Sequence, residues 1–222
     1  MVTIEEIKFL AKQRSVGIKV PDKPYFDGAE TTDWFLDKLS TSKRYLEYGT
    51  GGSTYMAARM GVNFIAVDSD RYFLTNVQKK IRDEGFARAV GQTYHYADIG
   101  LTGTWGHPIG PGSASPTRLE QFRRYSDPPQ ACFADGRRPD LVLVDGRFRV
   151  ACVLKALRML QHEHGWAIVI DDYANRPEYH VVANFAEIDR YVGSRMAVVT
   201  SPKPVSAELL ESAIRAYETL PQ

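Results

Sequence analysis

Acidic residues stand at the ends of apolar runs along this chain: Glu47, Asp68, Asp98, Asp145 and the consecutive pair Asp171-Asp172. A carboxylate in such a place either holds a ligand's hydroxyls or a cation, or caps the helix that follows. Capping serves for any one of them, but it does not explain Asp171-Asp172, where adjacent charges repel unless something cationic lies between. Beside the first acid lies Glu47-Tyr48-Gly49-Thr50-Gly51-Gly52-Ser53, three glycines in a turn directly after an apolar segment. Glycines there permit positive φ and close approach of backbone to a ligand, and the run from Ser53 opens a helix whose free amides point into the same space. Asp68 follows at about the separation at which nucleoside binders place a ribose-holding acid, so the turn reads as a nucleoside cradle.

The elements that must carry these residues alternate. A short helix spans Ile4 to Lys12, and the segment from Gly17 to Ala29, with Pro21, Pro24 and Gly28, reads as an extended arm crossing the body. Thr31 or Thr32 caps a helix with Trp34, Phe35, Leu36 and Leu39 on one face. Strands are expected at Tyr45-Leu46, Phe64 to Val67, Thr93 to Ala97, Leu141 to Val144, Ala167 to Ile170 and Met196 to Thr200. Helices lie between them: one after the glycine turn, one with Phe73, Val77 and Ile81 stopped by Gly85, one with Val150, Leu154, Leu157 and Leu160, and one with Val181, Phe185, Ile188 and Val192. A last helix runs from Ala207 to Leu220. Strands without polar alternation are covered on both faces, which makes the fold class α/β, a doubly wound, mostly parallel sheet with helices on both faces. Residues 100–139 break the pattern with Gly103, Gly106, Pro108, Gly110, Pro111, Gly112, Pro116, Pro128 and Pro129, and only Leu119 to Tyr125 reads as helix. Trp105, Phe122, Tyr125 and Phe133 give this stretch something to pack, so a lid insertion after the third strand is favoured over a disordered linker.

At 222 residues, 44% hydrophobic and 25% charged, the chain suits a single domain, with residues 1–43 as a helical arm and 100–139 as the lid. Twenty-eight basic against 27 acidic residues create no net field, which disfavours nucleic acid and an anionic membrane as partners. Cys132 and Cys152 lack metal or redox spacing. Met1 to Glu6 lacks a basic start followed by an apolar stretch, and no apolar run approaches membrane-spanning length, so a soluble cytoplasmic protein is expected. A homo-oligomer stays open.

On Glu47-Tyr48-Gly49-Thr50-Gly51-Gly52, Asp68 and Tyr96-Ala97-Asp98-Ile99, the chain resembles class I S-adenosylmethionine-dependent methyltransferases over about Tyr45 to Pro202. The resemblance implies S-adenosylmethionine as cofactor in a Rossmann-like fold. Glu47, Gly49, Gly51, Gly52 and Ser53 would form the turn for its methionine part, Asp68 would hold the ribose, and Asp98 with Ile99 would meet the adenine. A dinucleotide dehydrogenase would prefer G-x-G-x-x-G, and Gly49-Thr50-Gly51-Gly52-Ser53-Thr54 lacks the last glycine.

Val144-Asp145-Gly146 and Ile170-Asp171-Asp172-Tyr173 resemble, more narrowly, the cation-dependent O-methyltransferases of the catechol and macrocin types. That resemblance implies Asp145, Asp171 and Asp172 as ligands of magnesium or another divalent cation, which would acidify a bound hydroxyl and orient its oxygen. The chain departs from both types at the base: Phe148 stands where the catechol type has lysine, and Arg147 where the macrocin type has an acid. His107 and His180 are alternative bases, and Arg147, Arg149 and Arg176 either neutralise the acids or clamp an anionic substrate. Thr102-Gly103-Thr104-Trp105-Gly106-His107-Pro108 also resembles a stretch of uncharacterised bacterial methyltransferase-like proteins. The expectation is metal-assisted O-methylation of a small acceptor, anionic or sugar-like. The alternatives are a non-catalytic binder of S-adenosylmethionine or S-adenosylhomocysteine and, with less support, a nicotinamide-dependent oxidoreductase.

Overall fold

The computed structural model describes residues 3–110 and 115–222; Pro111 and Gly112 of the expected lid lie outside the described residues. The elements run α1 (Ile4–Ser15), α2 (Ala29–Thr41), β1 (Tyr45–Tyr48), α3 (Gly52–Arg59), β2 (Phe64–Asp68), α4 (Arg71–Asp83), β3 (Gln92–Tyr96), α5 (Pro116–Tyr125), β4 (Leu141–Val144), α6 (Arg149–Leu160), β5 (Ala167–Ile170), β6 (Ala186–Val192), β7 (Met196–Pro202) and α7 (Ala207–Tyr217). Seven strands form one sheet in the order β3-β2-β1-β4-β5-β7-β6. The first five pair in parallel, whereas β7 is antiparallel to β5 and to β6. Each of β1, β2 and β4 is buried along its whole length, because helices cover both faces.

Alternate strand residues feed two cores. Tyr45, Phe64, Ala66, Leu143 and Val198 pack under α2, α3 and α4, while Leu46, Tyr48, Val67, Val144 and Ile170 pack under α5, α6 and α7. All parallel strands therefore deliver their carboxyl ends to one rim, with the sequence order reversing between β1 and β4.

Three expectations change. Ile188 and Val192 belong to strand β6 rather than to a helix, and the Pro177–Asn184 segment before it is a 3-10 turn. Register shifts near Ile188 break the alternation that would have marked the strand. Helix α2 starts from Gly28, and Thr31 and Thr32 are buried within its first turns. The 100–139 stretch is also no single lid. Phe122, Tyr125 and Cys132 are buried in the second core, and Arg44 binds the carbonyls of Ala131, Ala134 and Arg137, so its latter half is a structural layer. Among the described residues of this stretch, 101–109 forms a loop at the rim, a tight hairpin bridged at Thr102 and Pro108.

The arm crosses the first core from α4 to the β6-β7 turn. Asn76 donates to the Ile18 carbonyl, Lys80 pairs with Asp22 at 2.6 Å, and Asp27 accepts from the backbone and hydroxyl of Ser194. Midway, the Lys23-Pro24 backbone lies so close to Gly52 that a Cβ there would overlap the Lys23 carbonyl. Gly52→Ala is accordingly expected to lift the arm at a cost of roughly 1–3 kcal/mol. Urea unfolding would read that loss, and limited proteolysis would read faster cleavage between Gly17 and Gly28; unchanged cleavage would contradict this packing.

Candidate functional site

The glycine turn is built against the loop after β4. Gly49 has φ +96°, and a Cβ on it would stand 2.7 Å from the Gly146 nitrogen, so only glycine fits. Beneath the turn, Glu47 is wholly buried and accepts from the Tyr45 hydroxyl at 2.9 Å and the Ser53 hydroxyl at 2.6 Å. Its Oε1 has no partner, and burial pushes its pKa to about 7. Asp68 accepts from the Thr50 amide at 2.8 Å and hydroxyl and from the Asp70 amide at 2.7 Å. Burial raises it to about 6. Glu47, Ser53 and Asp68 are thus turned into the cradle's own framework.

A hollow of about 310 Å³ opens beyond the ends of β2 and β3, lined among others by Asp70, Tyr72, Tyr96 and Asp98 and covered by Gln13 and Arg14 of α1. Gln13 donates to the Asp70 carboxylate, which also caps α4. Arg71 lies over the rings of Tyr72 and Tyr96, at 5.8 and 6.0 Å. Asp98 stands in the wall, accepting from the Gly100 amide at 2.8 Å, but the Ile99 side chain is buried in the core and leaves only its backbone for a ligand. A larger hollow, about 450 Å³, lies at the amino ends of β4 and β5, beside Trp34, Asp140 and Trp166. It is at the end of the sheet away from the acids and glycines, so the smaller one is the candidate for a cofactor.

Asp145, Asp171 and Asp172 converge as expected, but on arginines. Arg149 pairs with Asp145 at 3.0 Å and Asp172 at 3.3 Å, and donates to the carbonyls of Gly146, Asp171 and Asp145. Arg195 reaches Asp171 at 3.1 Å and Asp172 at 3.3 Å. Burial and mutual repulsion raise Asp145 and Asp171, the latter to about 7. The expected ligand set does not fit a divalent ion: guanidinium groups already engage all three carboxylates, and no group of three or more acidic, histidine or cysteine side chains that could hold a metal occurs among the described residues.

Phe148 is fully buried against Phe122 and Tyr125, in a left-handed conformation of φ +54°, and offers no base. His180 bonds the Tyr173 carbonyl at 3.0 Å and stacks on the Tyr173 ring, not on an acid of the rim. His107 does come to the rim: its Nε2 takes a hydrogen bond of 3.0 Å from Arg147. Burial, with Arg147 and Arg176 nearby, lowers its pKa and keeps the imidazole neutral. Sequence reasoning passed over Tyr72, Tyr96, Gln13 and Arg195. Tyr96 closes a strand beside Asp98 and was findable, whereas Arg195 arrives from a hairpin whose first strand reads as helix.

Among the solved structures that match is a methyltransferase-like protein from Silicibacter pomeroyi, 28% identical, covering 91% of this chain and 100% of its own, with a TM-score of 0.70. The chain has the class I S-adenosylmethionine-dependent methyltransferase fold. More distant are the O-methyltransferase TomG of Streptomyces achromogenes in complex with S-adenosylmethionine (16% identity, 90% of each chain, TM-score 0.47) and the O-methyltransferase of Bacillus cereus in complex with S-adenosylhomocysteine (14% identity, 90% and 100%, TM-score 0.42). No family model and no curated protein matches. No helix among the described residues is long and apolar enough to cross a membrane.

Two outcomes test this account of a methyltransferase-fold rim. Glu47 is raised from 4.5 to about 7, so its contribution to stability is complete below pH 4.5 and is lost as pH rises through 7. Urea midpoints of the wild type are expected to fall over that window by an amount that Glu47→Gln removes, up to about 3 kcal/mol; parallel profiles would contradict the burial. Magnesium is expected to leave the thermal midpoint unchanged, and a rise abolished by Asp171→Ala would restore the cation.

Proposed function

We propose that this chain binds S-adenosylmethionine and transfers its methyl group to an oxygen of a small acceptor. The observation that carries the reading is the coincidence, on the rim of a methyltransferase fold, of the Gly49–Gly52 turn with the Tyr72, Tyr96 and Asp98 hollow. The two are joined through Asp68, which bonds Thr50 on one side and Asp70 on the other. Adenine would stack on the tyrosine faces, Asp98 would meet its edge, and the α3 amides would take the methionine carboxylate. The arm at Lys23-Pro24 would shift or close over that end.

An acceptor hydroxyl entering beside Arg147 meets His107, whose Nε2 would take its proton once the Arg147 donor is drawn away. Charge balance at the acids falls to Arg149 and Arg195, in place of the cation of the enzymes this sequence resembles. Orientation of the acceptor oxygen against the sulfonium methyl then supplies most of the rate. The second reading, binding without catalysis, is favoured by one feature: Phe148 fills the place of a lysine base.

Titration calorimetry is expected to give saturable binding of S-adenosylhomocysteine, weakened about tenfold or more in Tyr96→Ala through loss of a stacking face. Binding of NAD alone would refute the proposal. Turnover of S-adenosylmethionine with an acceptor library, lost in His107→Ala while cofactor affinity stays, would separate the enzyme from the mere binder.

A further inference from the structure

The arginines of the rim differ in what they touch. Arg149 and Arg195 are committed to carboxylates and carbonyls. Arg147, two residues earlier in the loop before α6, pairs with no carboxylate among the described residues. Its hydrogen-bond partner is a neutral imidazole, and its Nε is buried with no partner at all. A buried guanidinium donor left unmade is costly, and the usual resolution is an oxyanion.

Its surroundings favour the same ligand. Arg176 lies within electrostatic reach of His107, and its own acid, Glu178, is 3.9 Å away, at the limit of an ion pair. Arg147, Arg149 and Arg176 all act on the hydroxyl of the buried Tyr179. Asp145, Asp171 and Asp172 take their ion pairs from Arg149 and Arg195, which leaves Arg147 without a carboxylate of its own among the described residues. Arg147 is half-buried, whereas the Arg176 side chain is exposed. The 101–109 hairpin brings Gly106 against Ser69 and the Arg147 stem, and Trp105, at φ +59° and 78% exposed, projects from its tip.

We infer that Arg147, flanked by His107 and Arg176, docks an anionic group of the acceptor, a carboxylate or a phosphate, under the 101–109 hairpin. This rests on the methyl-transfer reading for the word acceptor, but the anion site stands on its own residues. The planar fork of Arg147 would take two oxygens, with Arg176 adding charge from the open side. An anion that draws Arg147 away from His107 also frees the imidazole lone pair for a substrate proton. Docking and proton acceptance are thereby linked at one pair of side chains.

The test is titration of inorganic phosphate, and separately of malonate, into protein saturated with S-adenosylhomocysteine at low ionic strength. Saturable binding of at least one is expected, and the stronger identifies the anion class. Arg147→Gln is expected to weaken it about tenfold to a hundredfold, Arg147→Lys less, because charge remains without the fork. Arg176→Gln, at an exposed side chain that does not threaten folding, is expected to weaken it severalfold, while Arg215→Gln on α7 leaves it unchanged. Cofactor affinity should persist in all four variants. Failure of both anions to bind, or equal binding by wild type, Arg147→Gln and Arg176→Gln, overturns the inference. If S-adenosylhomocysteine does not bind but phosphate still binds through Arg147, the methyl-transfer reading falls and the anion site remains.

Discussion

The rim depends on one buried guanidinium. Arg149 is the first residue of α6, where a positive charge faces the positive end of a helix, and it is nearly excluded from water. It is tolerable there because its donors meet the carbonyls of Gly146, Asp145 and Asp171 and the carboxylates of Asp145 and Asp172. Those acceptors belong to the loops after β4 and β5. Arg149 therefore holds the two loops at a fixed separation, and the acids that would otherwise repel one another become its counter-charges. The glycine turn inherits that order, since Gly49 is packed directly on Gly146.

Around this fixed floor the chain supplies two flanking segments from opposite faces. The arm arrives over α3 and is fastened at Asp22, Asp27 and the Tyr25 carbonyl, the last bonded by Arg195. The 101–109 hairpin follows Ile99, which is buried in the second core, and Ile109 at its other end is also buried. Arg195 thus serves both the acid pair and the arm, so acids, arm and β6-β7 hairpin form one charge-linked unit. Burial of Arg149 and Asp171 within that unit strengthens the electrostatic contacts they make.

Much of the fold is legible because its signals are local. Leu141 to Val144 and Ala167 to Ile170 are short apolar runs without alternation, which only a sheet covered on both faces explains. Gly85 punctuates the end of α4, and three glycines after Glu47 announce a backbone that must approach something. Segments governed by partners distant in sequence are harder. Val181, Phe185, Ile188 and Val192 have helical spacing, yet hydrogen bonding to β7 and the bulges beside Ile188 place Ile188 and Val192 in a strand. Phe122 and Tyr125 carry no mark that they fill a core instead of a lid.

By itself the sequence determined the alternation of strands and helices, the glycine turn and the presence of acids at strand ends, because each is written in neighbouring residues. Tertiary structure alone decided what those acids face. Asp171-Asp172 demands a cation, and its spacing is equally compatible with a metal ion or a guanidinium. Only folding brings Arg195 across from its hairpin and turns Arg149 inward, while Arg147 is left beside His107 with a donor unmet. The physical reason is that charge compensation is a short-range, three-dimensional condition, satisfied by whichever cation the packing delivers and not by the residue nearest in the chain.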